Sequence, residues 1–231
     1  MEEFDYYPDG GFFALGELPS PKRPQNWLAW HFTHESNIAS ILEEGALLPS
    51  ARVSPVTNVG QLSIKQGRTN RVVDLDVAYP PSTVADHVPL YFAARSPMLF
   101  KVCRGHDDYR GGAEPLVFLG FCVGDIARSG SVWCASDANA ATRWAGFTRD
   151  LDDLGNFVDF DLLAAKMWNN TLDDPSRQSR RAAEVLVHDR LPIGLVRLVV
   201  VRSRRALTSI ERLFDSFDLH PRVVQLTEMY Y

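Results

Sequence analysis

The sequence predicts an α+β fold, on three observations. Several apolar runs have the length of strands: HVPLYFA at 87–93, PLVFLGFCV at 115–123 and LVRLVVV at 195–201. They are rich in the β-branched and aromatic residues that suit a pleated, buried surface. Helix-like segments fall between them without the regular strand–helix alternation of a doubly wound sheet. Finally, 45% hydrophobic and 23% charged residues in a chain of 231 are the proportions of a globular domain with a sizeable core.

The elements follow in order. Residues 1–26, dense in Gly, Pro and aromatics, read as an N-terminal arm, and 27–231 as one domain, because no linker divides it. NWLAW at 26–30 begins a strand. After HFTHESN comes a short helix that Ser36 or Asn37 can cap, with Ile38, Ile41 and Leu42 on one face and Gly45 at its end. Residues 49–86 show little period and read as a long loop carrying Lys65, Arg68 and Arg71; a loop of that length is commonly functional or disordered. GHDDYRGG at 105–112 is a turn-rich surface loop. SVWCAS at 131–136 reads as a strand, and Asp137 as the cap of a helix over 138–144. Residues 162–168 form an amphipathic helix, and 172–181 a polar loop with Arg177, Arg180 and Arg181. A helix at 207–217 and a strand, RVVQLT, close the chain.

Charge and motifs exclude several classes. The net charge of −5 gives no global basic footprint, so any nucleic-acid site must be local. Twenty of the 24 basic residues are arginine, either for bidentate phosphate and base contacts or through coding bias. Three cysteines make neither a disulfide framework nor a CxxC zinc site, which fits a reducing, cytoplasmic compartment. The acidic start reads as no signal peptide, and no run nears the roughly 18 apolar residues of a membrane span, so no membrane partner is expected. GxGxxG, GxxxxGK[ST] and GxSxG are all absent. His31 and His34 are spaced like helical metal ligands but precede the helix, so no metal is expected.

Two places carry chemistry. The strand at 87–93 runs out through Tyr91, Arg95 and Ser96, an aromatic face beside a cation, which suits a nucleotide as well as it suits a plain core strand. Glu184 stands in AAEVLVH between an arginine-rich loop and an apolar strand. A carboxylate there must be paired. It is either an edge residue facing water or a charge placed to offset positive charge at a sugar anomeric carbon.

WHFTHESNIASILEEGAL at 30–47, Arg68 before VVDLDV, DHVPLYFAARSPMLF at 86–100, CASDANAATRW at 134–144 and DDPSRQSRRAAEVLVHDRLP at 173–192 together resemble the DarT family. These are DNA ADP-ribosyltransferase toxins of bacterial toxin–antitoxin pairs, opposed by a macrodomain antitoxin, DarG. The resemblance runs from about residue 27 to the end and implies an ADP-ribosyltransferase fold, two small antiparallel sheets with helices around a cleft for NAD+. It further implies His31, Phe32, Thr33, Ser40, Leu48 and Arg68 as cofactor contacts, Arg68 and Glu184 as catalytic residues, and no metal. Tyr91, Arg95, Ser96, Arg180 and Arg181 become the contacts to single-stranded DNA. Gln178 to Ala182 match the loop that helps hold the target base, and Ala182 replaces a glutamine common in the family, which leaves the base open. The alternatives are transfer to RNA or protein, a non-catalytic NAD or nucleic-acid module, and plain NAD hydrolysis.

Overall fold

The computed structural model of the chain describes residues 4–231. Its strands are β1 (Phe4–Tyr7), β2 (Phe12–Leu15), β3 (Leu28–His34), β4 (Ala46–Leu47), β5 (His87–Tyr91), β6 (Leu116–Cys122), β7 (Trp133–Ser136), β8 (Phe147–Thr148), β9 (Glu184–His188), β10 (Leu191–Pro192), β11 (Val196–Val201) and β12 (Arg222–Gln225). Its helices are α1 (Ile38–Glu44), α2 (Leu62–Thr69), α3 (Pro97–Arg104), α4 (Val123–Arg128), α5 (Leu154–Phe157), α6 (Phe160–Ala164), α7 (Arg177–Arg181) and α8 (Arg204–Asp215).

Eight strands join in the order β12-β11-β6-β3-β5-β9-β7-β8. The expected pair of small sheets is thus one hydrogen-bonded sheet whose two halves barely touch. β3 pairs with β6 along its whole length, but with β5 only at Trp30 and Tyr91. The ladders are antiparallel except β11 with β12, which run parallel because α8 carries the chain back across the sheet between them.

β6 is buried along its full length, as a strand packed on both faces must be. Alternate residues serve opposite cores. Trp27, Ala29, Val117, Leu119 and Phe121 join one apolar cluster, and Leu28, Trp30, Phe32, Leu116 and Phe118 the other. Trp30 lies across its register partner Gly120, where a Cβ would come within 2.6 Å of the indole. Only glycine leaves that space.

The segment expected to be an arm is part of the core. β1 and β2 form a hairpin, and the neighbouring residues Phe12 and Phe13 are fully buried in opposite clusters. Phe12 bridges to Ala93 and Ala14 to Trp27, so the hairpin wedges between β3 and β5 where they diverge. Glycine and proline gave the loop reading, whereas the aromatics decide the outcome through the apolar area they bury.

Three more expectations change. The 49–86 loop contains α2, whose Gly67 and polar residues hide its helical period. The helix expected over 138–144 is a pair of turns, because Asp137 Oδ1 accepts from the Gly146 N–H (2.9 Å) and closes a loop instead of capping a helix. The helix expected over 162–168 is the shorter α6, and the loop at 172–181 ends in α7.

Candidate active site

Glu184 opens β9, directly opposite Tyr91 of β5. Its side chain is 1% exposed, and Arg68 Nη1, reaching from the last turn of α2, donates to Oε2 at 2.8 Å. The Ala140 N–H donates to Oε1 at 3.3 Å, and the Glu184 N–H donates to Ser136 Oγ at 3.2 Å. The Ser136 hydroxyl is held in turn by Ala138 O at 2.7 Å. A buried carboxylate is thereby paired, hydrogen-bonded and fixed from three elements. The edge reading of Glu184 is excluded by its burial.

Beside this pair opens a cleft of about 400 Å³, within the range of small-molecule sites. His31, Phe32 and Thr33 of β3 form one wall, Ser40 of α1 and Leu48 another, and Lys65 and Arg68 of α2 with Tyr91 the inner end. The His31 Nδ1–H donates to Pro89 O (3.1 Å), across the gap where β3 and β5 separate, which leaves Nε2 of the neutral ring as an acceptor. Burial lowers the His31 pKa; the hydrogen bond to Pro89 opposes this and the Arg68 charge adds to it. Burial and then the Glu184 charge raise the Tyr91 phenol pKa.

A residue that the sequence placed only as a helix cap builds the outer wall. Asn37 Nδ2 donates to Thr33 Oγ1 (2.9 Å) and to Thr57 O (2.8 Å), and its Oδ1 accepts from the Thr57 N–H (2.9 Å). It ties the 53–60 loop to β3. Lys65 was legible only as one cation in a loop, but it lies in the cleft with its pKa lowered by burial and no ion-pair partner among the described residues. Arg68 Nη2 is likewise buried without a hydrogen-bond acceptor. Two cationic donors in a largely apolar cleft fit a pyrophosphate. Among the described residues no group of three or more His, Cys, Asp or Glu side chains gathers as metal ligands.

The five residues expected to meet DNA are not gathered on one open face. Tyr91 lines the cleft, stacked near Phe32 with ring centroids 6.2 Å apart. Ser96 is fully buried and caps α3, accepting from the Leu99 N–H at 3.2 Å. The Arg95 guanidinium lies over the Tyr231 ring, 4.7 Å from its centre. Arg180 is held by Asp159 at 3.0 Å and Asp174 at 2.7 Å, and it pulls the Asp174 carboxyl down to about 2.

Arg181 is the clearest correction, because a guanidinium that is 0% exposed cannot touch a strand. It donates to the carbonyls of Leu162 (2.6 Å), Leu163 (2.7 Å), Ala165 (3.1 Å), Arg95 (3.3 Å) and Gly10. Burial lowers its pKa to about 10. It fastens the N-terminal hairpin and α6 to the segment that leads into Glu184.

The sequence profile of the family described as DarT, ssDNA thymidine ADP-ribosyltransferase, matches residues 30–231. A DNA ADP-ribosyl transferase of Mycobacterium tuberculosis is 47% identical over 226 residues, covering 98% of each chain. One of a Thermus species is 30% identical over 211 residues, 90% of this chain and 98% of the relative. Among solved structures, Thermus sp. 2.9 DarT in complex with ADP-ribosylated ssDNA superposes with a TM-score of 0.83 at 26% identity, over 92% of this chain and 98% of that one. The same protein in complex with NAD+ gives 0.77 at 28% identity, over 92% and 99%. With a cleft lined by Arg68, Glu184 paired behind that arginine, and a family match over residues 30–231, the chain belongs to the DarT family of ssDNA ADP-ribosyltransferases.

Proposed function

We propose that the chain transfers the ADP-ribosyl group of NAD+ to a base of single-stranded DNA and releases nicotinamide. The observation that supports this most is the buried Arg68–Glu184 pair, 2.8 Å apart, whose arginine lines the cleft while the glutamate is held behind it. NAD+ supplies the ribosyl carbon, and the nicotinamide nitrogen keeps the electron pair of the broken C–N bond. Glu184 offsets the positive charge that develops on the ribose, an effect worth about 3 to 4 kcal/mol for a preorganised group. A base nitrogen provides the new bond and gives up its proton. Arg68 orients the cofactor and polarises the base, and that proton passes to solvent.

In this reading His31, Phe32 and Thr33 bind the nicotinamide end, with the Thr33 backbone toward the amide. Ser40 and Leu48 line the rest, and Lys65 and Arg68 take the pyrophosphate. A base is reached only when unstacked, which favours a single strand. The activity suits a growth-arresting toxin, and a macrodomain antitoxin of the DarG kind is its expected partner.

The test is mass spectrometry of a mixed-sequence oligonucleotide after exposure to the chain and NAD+. A gain of one ADP-ribose on a base, lost in Glu184→Gln, is expected, and the fragment spectrum identifies the base. Label found only on RNA or protein would overturn the acceptor.

A further inference from the structure

The cofactor cleft is complete, yet the residues first expected to hold DNA are buried, capped or paired, and the chain carries a net charge of −5. A strand must nevertheless be held beside the cleft for one of its bases to enter. We propose that Trp144, with Arg143, is a stacking platform for a nucleotide adjoining the target base. This rests on the reading of single-stranded DNA as acceptor.

Trp144 is 53% exposed, while the other four tryptophans are at most 9% exposed. The loop that presents it is fixed to the catalytic groups. Besides the Asp137–Gly146 closure, the Asn139 N–H donates to Ser179 O at 2.8 Å, and the Ala140 N–H donates to Glu184 itself. Arg71 Nη2 donates to Ala145 O at 2.7 Å and lies over the Phe147 ring. Ala141 packs on Gly67, the neighbour of Arg68 in α2, with its Cβ 3.6 Å from where a Gly67 Cβ would stand. An indole left open on a loop tied down at so many points is not exposed through slackness.

Its place is right as well. No residue of 137–146 lines the cofactor cleft, yet Ala140 contacts Glu184, so the loop borders the catalytic pair outside that cleft. An acceptor comes to the ribose from outside the space the cofactor fills. Stacking needs no particular base, since each has a π-face, and it does not depend on the charge this chain lacks. Arg143 is exposed beside Trp144 and has no ion-pair partner among the described residues, which leaves it for a backbone phosphate.

Steady-state transfer to a short single-stranded oligonucleotide tests this. Trp144→Ala is expected to raise the KM for the oligonucleotide roughly 5- to 100-fold, the effect of losing one base–aromatic stack. The KM for NAD+ should hold, and Trp144→Phe should recover most of the loss. In the unaltered chain, an abasic site at one position beside the target should raise the KM to a similar extent. The same abasic site should add nothing further in Trp144→Ala. The platform is overturned if Trp144→Ala keeps the oligonucleotide KM, or if the two losses multiply. No transfer to any oligonucleotide by the unaltered chain would remove the acceptor reading first, and the platform with it.

Discussion

Tyr91 stands directly opposite Glu184 in the β5–β9 ladder, and its other edge makes the single pair, with Trp30, that joins the two half-sheets. One residue therefore closes the sheet and stands opposite the buried carboxylate. The separation of β3 from β5 on one side of this junction admits the N-terminal hairpin. On the other side, the His31 ring spans the gap to Pro89. The cleft is a product of how little these two strands pair.

Glu184→Gln keeps the size of the side chain and removes its charge. Transfer to DNA is expected to slow by about 10²- to 10³-fold, measured as kcat with labelled NAD+. Unfolding free energy should fall by about 3 kcal/mol, because Arg68 is left buried without its counter-charge. A rate close to that of the unaltered chain would remove Glu184 from the chemistry.

Arg181→Met removes a buried donor from five backbone carbonyls in three segments, of which Arg95 O keeps the Tyr231 hydroxyl and Leu162 O the Ala165 N–H. We expect a loss of about 3 kcal/mol or more in urea unfolding, since each buried group left unsatisfied costs about 1 to 3 kcal/mol. An interface arginine on the DNA face would instead leave stability alone and weaken DNA binding.

Phe12→Ala distinguishes a core hairpin from an arm. Phe12 packs edge-on to Trp27 with ring centroids 5.1 Å apart and is fully buried, so truncation should cost about 3 to 5 kcal/mol in chemical denaturation. In a loose arm the change would be close to zero. Gly10→Ala should also destabilise, by about 1 to 3 kcal/mol, because its Cβ would come 2.5 Å from Leu163 O.

His87 predicts a pH dependence of stability. Its Nδ1–H donates to Thr83 O and its Nε2 accepts from the Tyr79 hydroxyl, both at 2.8 Å. Burial pushes its pKa from 6.5 down to about 4. The unfolded chain then takes up the proton first as pH falls. The stability is fully present above pH 6.5 and is lost toward pH 4, by about 3 kcal/mol from this residue. Urea midpoints between pH 7 and 4 measure the loss, and His87→Gln should flatten it.

Much of the sheet was legible because β5, β6 and β11 are apolar runs of strand length, and those signals survive any arrangement of their neighbours. Arg68, Glu184 and the HFT stretch were legible through motif resemblance. Their convergence was not, because nothing local says that α2 forms around Gly67 or points its last turn at β9. Arg180 and Arg181 show the limit most plainly. Adjacent and identical in type, one meets two carboxylates near the surface and the other meets carbonyls in the interior. The difference lies in α6 and the hairpin, segments remote in sequence that only packing brings near.

The clasp between Gly10 and Arg181 joins residues 171 positions apart, and this has a consequence for the chain during its synthesis. The first hairpin leaves the ribosome long before its internal fastening or Glu184 has been translated. Unfinished chains therefore hold β3 but lack β9 and the Arg68–Glu184 pair, so the buried pair and the clasp form only near completion.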